Sequence, residues 1–125
     1  MSAVTVEITG RLADDPAELR ITPTGKSVTS FVVIGNDRRR DESSGEWVDA
    51  HTTSIRVTVW EALAEHVAET LTKGTLVNIT GDRLTADLWT DREGQPRATL
   101  EMRASRVGVE LATQTAKITR APRAA

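Results

Sequence analysis

The residues of this 125-residue chain best suited to holding a flat, charged ligand are three tryptophans, Trp47, Trp60 and Trp89, each near arginine. Arg56 precedes Trp60 by four positions; in an extended chain both side chains share one face, about 13 Å apart. Ile55, Val57 and Val59 take the opposite, apolar face. An exposed indole offers a π-face to a nucleobase, and a guanidinium nearby offers charge to a phosphate, which is what a single-strand binder needs. Trp60 also directly precedes a helical pattern, and the alternation equally allows it to pack beneath that helix. Arg38, Arg39 and Arg40 stand across a polar tip from Trp47, a basic arm able to track a backbone or to stack on a base. Asp37, Asp41 and Glu42 flank that run, so it also reads as a solvated, locally neutralised stretch. Trp89 lies beside a hairpin turn with Arg92 and Arg97. A polar stem has few neighbours to bury an indole, and an exposed platform is expected there.

Other chemistries find little support. The chain has no cysteine, which removes disulfides and thiolate zinc sites, and its two histidines, His51 and His66, have no metal spacing. Neither a metal nor a cofactor is expected. Gly25-Lys26-Ser27 resembles the end of a phosphate-binding loop, but Arg20 holds the required upstream glycine position and a strand follows where a helix should. Asn78-Ile79-Thr80 matches a glycosylation acceptor within a strand, and a turn accounts for Asp14, Asp15 and Glu18. With no nucleophile elbow or Ser/His/Asp pattern, no catalytic residue is expected. A metal-dependent nuclease using Asp14 and Asp15 is the enzymatic alternative. The longest unbroken aliphatic or aromatic run is Phe31-Val32-Val33-Ile34, too short for a membrane span or secretory core, so a cytoplasmic location is expected. The net charge of −2 argues against a partner held by bulk positive charge, but the signs are segregated. Glu61, Glu65 and Glu69 form a helical stripe that a phosphate backbone should avoid, whereas Lys117, Arg120 and Arg123 make the end basic.

The elements that must position these residues read mostly with a period of two. Val4, Val6 and Ile8 alternate with polar residues, and Gly10 is expected to end that strand. Asp14-Asp15-Pro16 breaks the chain, a short extended piece covers Leu19 and Ile21, and Pro23-Thr24-Gly25-Lys26 is turn chemistry. Residues 28–34 are apolar on both faces, as a central strand requires. A polar hairpin follows over residues 36–52, then a strand ending at Trp60. Leu63, Val67 and Leu71 mark a helix over residues 61–72, closed by Lys73-Gly74. Val77 and Ile79 begin a strand that Gly81 is expected to end; residues 83–90 and 97–107 flank a turn at residues 91–95. Three strands, one helix and two strands predict an all-β fold, the five-stranded OB barrel with its helix between strands three and four. A small sandwich would leave the lone helix unexplained. The domain covers residues 1–111, and residues 112–125 form an extension, an extra edge strand or a basic end.

Several stretches, taken in order, resemble one family. Val6-Glu7-Ile8-Thr9-Gly10-Arg11-Leu12, Asp15-Pro16-Ala17-Glu18-Leu19-Arg20 and Thr22-Pro23-Thr24-Gly25 look like the opening of bacterial single-stranded DNA-binding protein (SSB). The similarity continues through Gly45-Glu46-Trp47, Ile55-Arg56-Val57, Trp60-Glu61-Ala62-Leu63-Ala64-Glu65, Leu71-Thr72-Lys73-Gly74 and Trp89-Thr90-Asp91. Residues 112–120, with Ala116-Lys117, look like the actinobacterial branch, where an extra C-terminal strand clamps subunits. The resemblance implies an OB-fold homotetramer that wraps single-stranded DNA without sequence preference. It puts family cations at Arg20, Arg40, Arg56 and Lys73 and family aromatics at Trp60 and Trp89. Arg39 and Ser54 replace two stacking tryptophans of other members, residues 84–88 are less basic, and one extra residue precedes Trp89. With stacking worth about 1–3 kcal/mol per base, binding weaker or shorter in footprint is expected, offset in part by Arg39. The chain ends in Pro122-Arg123-Ala124-Ala125, so the acidic tip through which family members recruit replication and repair enzymes is expected to be absent. An OB module that docks protein on the same face, as a primosome accessory would, is the alternative function.

Overall fold

The computed structural model describes residues 3–122; of the basic end, Lys117 and Arg120 are described and Arg123 lies outside the described residues. Its elements are β1 (Thr5–Leu12), β2 (Arg20–Ile21), β3 (Ser27–Arg40), β4 (Trp47–Trp60), α1 (Glu61–Thr70), β5 (Leu76–Thr90) and β6 (Pro96–Val109). The strands follow the order β1-β5-β6-β4-β3-β2, and β1 also pairs with β3. The five long strands therefore close into a ring, with two-residue β2 appended at its edge. Counting β2 moves the helix behind the fourth strand; among the long strands it sits where the sequence pattern puts it.

Alternation decides what the ring encloses. Phe31, Val33, Ile55, Val57, Val59, Val77, Ile79 and Met102 point inward and are buried, and Ala64, Val67 and Leu71 of the helix segment join the same core. Burial of these side chains is the main favourable term holding the fold. The ring closes through short seams. β1 meets β3 only at Arg11↔Ile34 and Leu12↔Val33. β4 meets β6 in parallel at Ile55↔Leu100, Arg56↔Glu101, Val57↔Met102 and Thr58↔Arg103.

Three sequence expectations need correction. Gly10 and Gly81 do not end their strands: β1 runs on to Leu12 and β5 runs unbroken to Thr90. Each is a place of close approach: a Cβ on Gly10 would run into the Ile34 carbonyl, and one on Gly81 into the Arg103 carbonyl. Nor does Gly74 close the helix. Leu71 caps it in extended backbone and donates its N–H to the Val67 carbonyl, because its side chain turns into the core. Gly74, at φ +87, serves the following turn, in which Thr75 N–H donates to Thr72.

Residues 111–122 form no strand within one chain, so the expected C-terminal edge strand is not made there. The Gln114 side chain caps β5 instead, donating to the Leu76 and Glu110 carbonyls at 2.7 Å each and accepting the Leu76 N–H at 3.2 Å.

Candidate nucleic-acid interface

The outward side of the ring is fixed by register. Val28↔Trp60, Ser30↔Thr58 and Val32↔Arg56 face one another across β3 and β4. Arg56 then stands beside Glu101, and Thr58 beside Arg103, across the parallel seam. Beyond β6, Thr85↔Glu101, Asp87↔Thr99 and Trp89↔Arg97 complete the row. One continuous face therefore carries Trp60, Arg56, Arg97 and Trp89. Arg20 pairs with Val28, in line with Trp60 and about 10 Å from it by strand spacing.

A bulge brings Trp47 to this face. Asp37 pairs with His51 but Arg38 pairs with Asp49, so Ala50 has no partner and the alternation of β4 shifts by one residue. Trp47 therefore lies opposite Arg40 on the side of Thr52, Ser54 and Arg56, although strict alternation would put it on the core side. Arg39 pairs with Val48 on the other side of the same hairpin. The register thus separates Arg39 from the row. Lys73 is remote as well, in the loop after the helix, where its N–H donates to Asp15 at 2.8 Å. Arg92 lies in the exposed turn between β5 and β6.

All three indoles are accessible: Trp47 is 63% exposed, Trp60 38% and Trp89 48%. Trp60 is the N-cap residue of the helix, in extended backbone, and its indole is not buried. Trp89 donates its indole N–H to the Thr99 hydroxyl at 2.9 Å, which fixes the ring's edge and leaves its π-face available.

The electrostatics differ from a bare cationic surface. Arg56 pairs with Glu101 at 3.3 Å, Arg97 with Asp91 at 2.9 Å and Arg103 with Asp82 at 3.5 Å. Carboxylates are therefore interleaved with the cations. The partners are far apart in sequence for the first and third pairs, so only the register reveals them. The Gln95 backbone N–H, then the Arg97 side chain, hold the Asp91 carboxyl below its ordinary value. Hydrogen bonds from the Ser43 backbone, then the Ser43 and Ser44 hydroxyls, do the same for Asp41 at the other tip. A lowered carboxyl pKa contributes stability above the unfolded value and loses it as pH falls through the folded one, so both tips are locked at neutral pH.

Three further cations, Lys26, Arg83 and Arg103, line the cleft next to Trp60, and no sequence motif singles them out as a group. Lys26 belongs to the turn that resembles a phosphate loop, and Arg103 falls on the polar face of its strand. Arg83 had only the extra residue before Trp89 to mark it. Among the described residues no group of His, Cys, Asp or Glu could hold a metal ion, and no helix is long and apolar enough to cross a membrane.

Comparison with known proteins adds a family. Residues 3–110 match the model of the single-strand binding protein family. The chain is 40% identical over 119 residues to a single-stranded DNA-binding protein of Paenarthrobacter aurescens, covering 95% of this chain and 68% of that one. A single-stranded DNA-binding protein of Mycolicibacterium smegmatis is also 40% identical over 119 residues, covering 95% and 71%. The crystal structure of a small single-stranded DNA-binding protein from Streptomyces coelicolor superposes with a TM-score of 0.75 at 28% identity, covering 90% of this chain and 98% of that one.

Proposed function

The chain belongs to the single-strand binding protein family, and from that premise we propose that it sheathes unpaired DNA without regard to sequence, in replication, recombination and repair. Oligomerisation is typical of the family, and a homotetramer is the working unit. The observation that carries the reading for this chain is the shared face of Trp47, Trp60 and Trp89 with Arg40, Arg56 and Arg97. Bases stack on the indoles and phosphates exchange with the carboxylates already paired to arginine. Binding and release involve no bond making or breaking, so the protein is not an enzyme, and its place is with the chromosome in the cytoplasm. Arg20 and Arg92 extend the cationic row at its two ends; Lys73 and Arg39 lie off it and act, if the strand wraps further, on other sides of the fold.

Tryptophan fluorescence tests this directly. Oligo-dT should quench it, and log affinity should fall with log salt with a slope of about −0.7 per phosphate neutralised. Matched duplex should bind poorly because its bases are already stacked. Quenching by a protein partner but not by oligo-dT would favour the protein-docking alternative and overturn the reading.

The Arg56–Glu101 pair gives a second expectation. A strand phosphate must displace Glu101 to reach Arg56, and exposed ion pairs are worth about 0.2–1 kcal/mol. Glu101→Gln should therefore tighten oligo-dT binding by up to about five-fold, while Arg56→Ala should weaken it, with the fold of both intact. Isothermal titration at low salt reads the difference, and equal affinities for the two variants would remove Arg56 from the interface.

A further inference from the structure

We propose that the cleft beside Trp60 is a phosphate-binding station built by a strained bulge, in which Lys26, Arg83 and Arg103 hold the strand's backbone as its base stacks on Trp60. The proposal rests on the reading of the chain as a single-strand binder and names a part of the interface that neither the family motifs nor the sequence pattern assigns.

Two independent observations meet in this cleft. The first is its make-up: an open cavity of about 630 Å³ whose wall includes Trp60, Lys26, Arg83, Arg103 and Glu61, with the Thr22 and Thr24 turn on one side. Arg103 is paired with Asp82, but Lys26 and Arg83 enter no ion pair among the described residues. Three cations against Glu61 on the wall and Asp82 paired to Arg103 leave the site positive by one in a protein of net charge −2.

The second is strain. Among the described residues the non-glycine positions at positive φ are Glu61, at 58°, and Arg83, at 56°, and both line this cleft. A long side chain in the left-handed region is disfavoured, and such residues cluster where structure serves binding or switching. Arg83 reaches that conformation through a bulge. Asp82 pairs with Arg103 and Thr85 with Glu101, so Arg83 and Leu84 oppose Met102 alone. Bulges re-aim side chains, and this one turns Arg83 out of the ladder and into the cleft.

The geometry also fits a strand better than a free nucleotide. Arg103 stands beside Thr58, on the same row as Arg56, so the cleft continues the face that carries the other platforms. A chain leaving Arg56 past Trp60 runs into it without changing sides.

The test is Arg83→Gly, which accepts the left-handed backbone and deletes the guanidinium. Oligo-dT titration at several salt concentrations should show weaker binding and a slope shallower by about 0.7, and by about 1.4 when Lys26→Ala is added. The melting temperature of Arg83→Gly should equal or exceed that of the parent, because the backbone strain is relieved. Lys26→Ala alone, in an exposed turn, repeats the slope measurement without touching the bulge. Wild-type slopes for both variants, with the parent still binding oligo-dT, would overturn the station and leave the family reading intact. A parent that fails to bind oligo-dT would instead overturn the reading beneath it. Displacement of oligo-dT from the cleft by dTMP at matched nucleotide concentration would mark a mononucleotide pocket and overturn the strand assignment.

Discussion

Replacing Trp60 and Trp89 together with alanine should lower affinity for oligo-dT by about 30-fold at the least, and toward 10⁴-fold if both stack fully. The range follows from about 1–3 kcal/mol per stacked base, taken twice. The fold should survive, because the indoles are 38% and 48% exposed and contribute little to the core. Among the described residues, the one polar side-chain bond lost is that from Trp89 to the Thr99 hydroxyl, worth about 1 kcal/mol. Fluorescence anisotropy of labelled oligo-dT measures the affinity, and circular dichroism melting checks the fold. A Trp60→Ala variant that melts many degrees lower but binds as before would return Trp60 to a packing role.

Gly81→Ala should be the most damaging small substitution in the chain. Its Cβ would fall on the Arg103 carbonyl oxygen, with the Arg103 carbonyl carbon and the Met102 Cε each 2.8 Å away. Backbone cannot yield as a side-chain tip can, so β5 and β6 must part where the bulges already distort their ladder. Overpacking of this kind costs about 1–3 kcal/mol or more, a large share of the roughly 5–15 kcal/mol that holds a domain together. Gly10→Ala should act similarly through the Ile34 carbonyl and would open the seam between β1 and β3. Gly108→Ala is the matched control, with nothing within 4 Å of its Cβ, and should be nearly neutral. Urea unfolding ranks the three; equal midpoints would refute the close-approach role of both strand glycines.

How far the sequence carried can be traced to the range of each interaction. Alternation along residues 53–60 placed Arg56 and Trp60 opposite the core, and that is local geometry, legible without a partner strand. The helix was equally legible, since Leu63, Val67 and Leu71 repeat within one element. Gly10 and Gly81 are not legible locally, because a strand breaker and a close approach look alike until the neighbouring carbonyl is known. Trp47 depended on a bulge two strand pairs away from it, and no residue type at Ala50 announces that bulge. The ion pairs of Arg56 and Arg103 join residues on different strands, so a net charge and a list of charge runs could not foresee them. The C-terminal strand is a different case: an edge strand needs a free edge, and within one chain Gln114 takes the end of β5.

The paired carboxylates have a consequence for traffic on the chromosome. When a phosphate leaves Arg56, Arg97 or Arg103, the arginine finds its own acid already at hand, so release exposes no orphaned charge at these three positions. The three ion pairs trade some tenacity for ease of release.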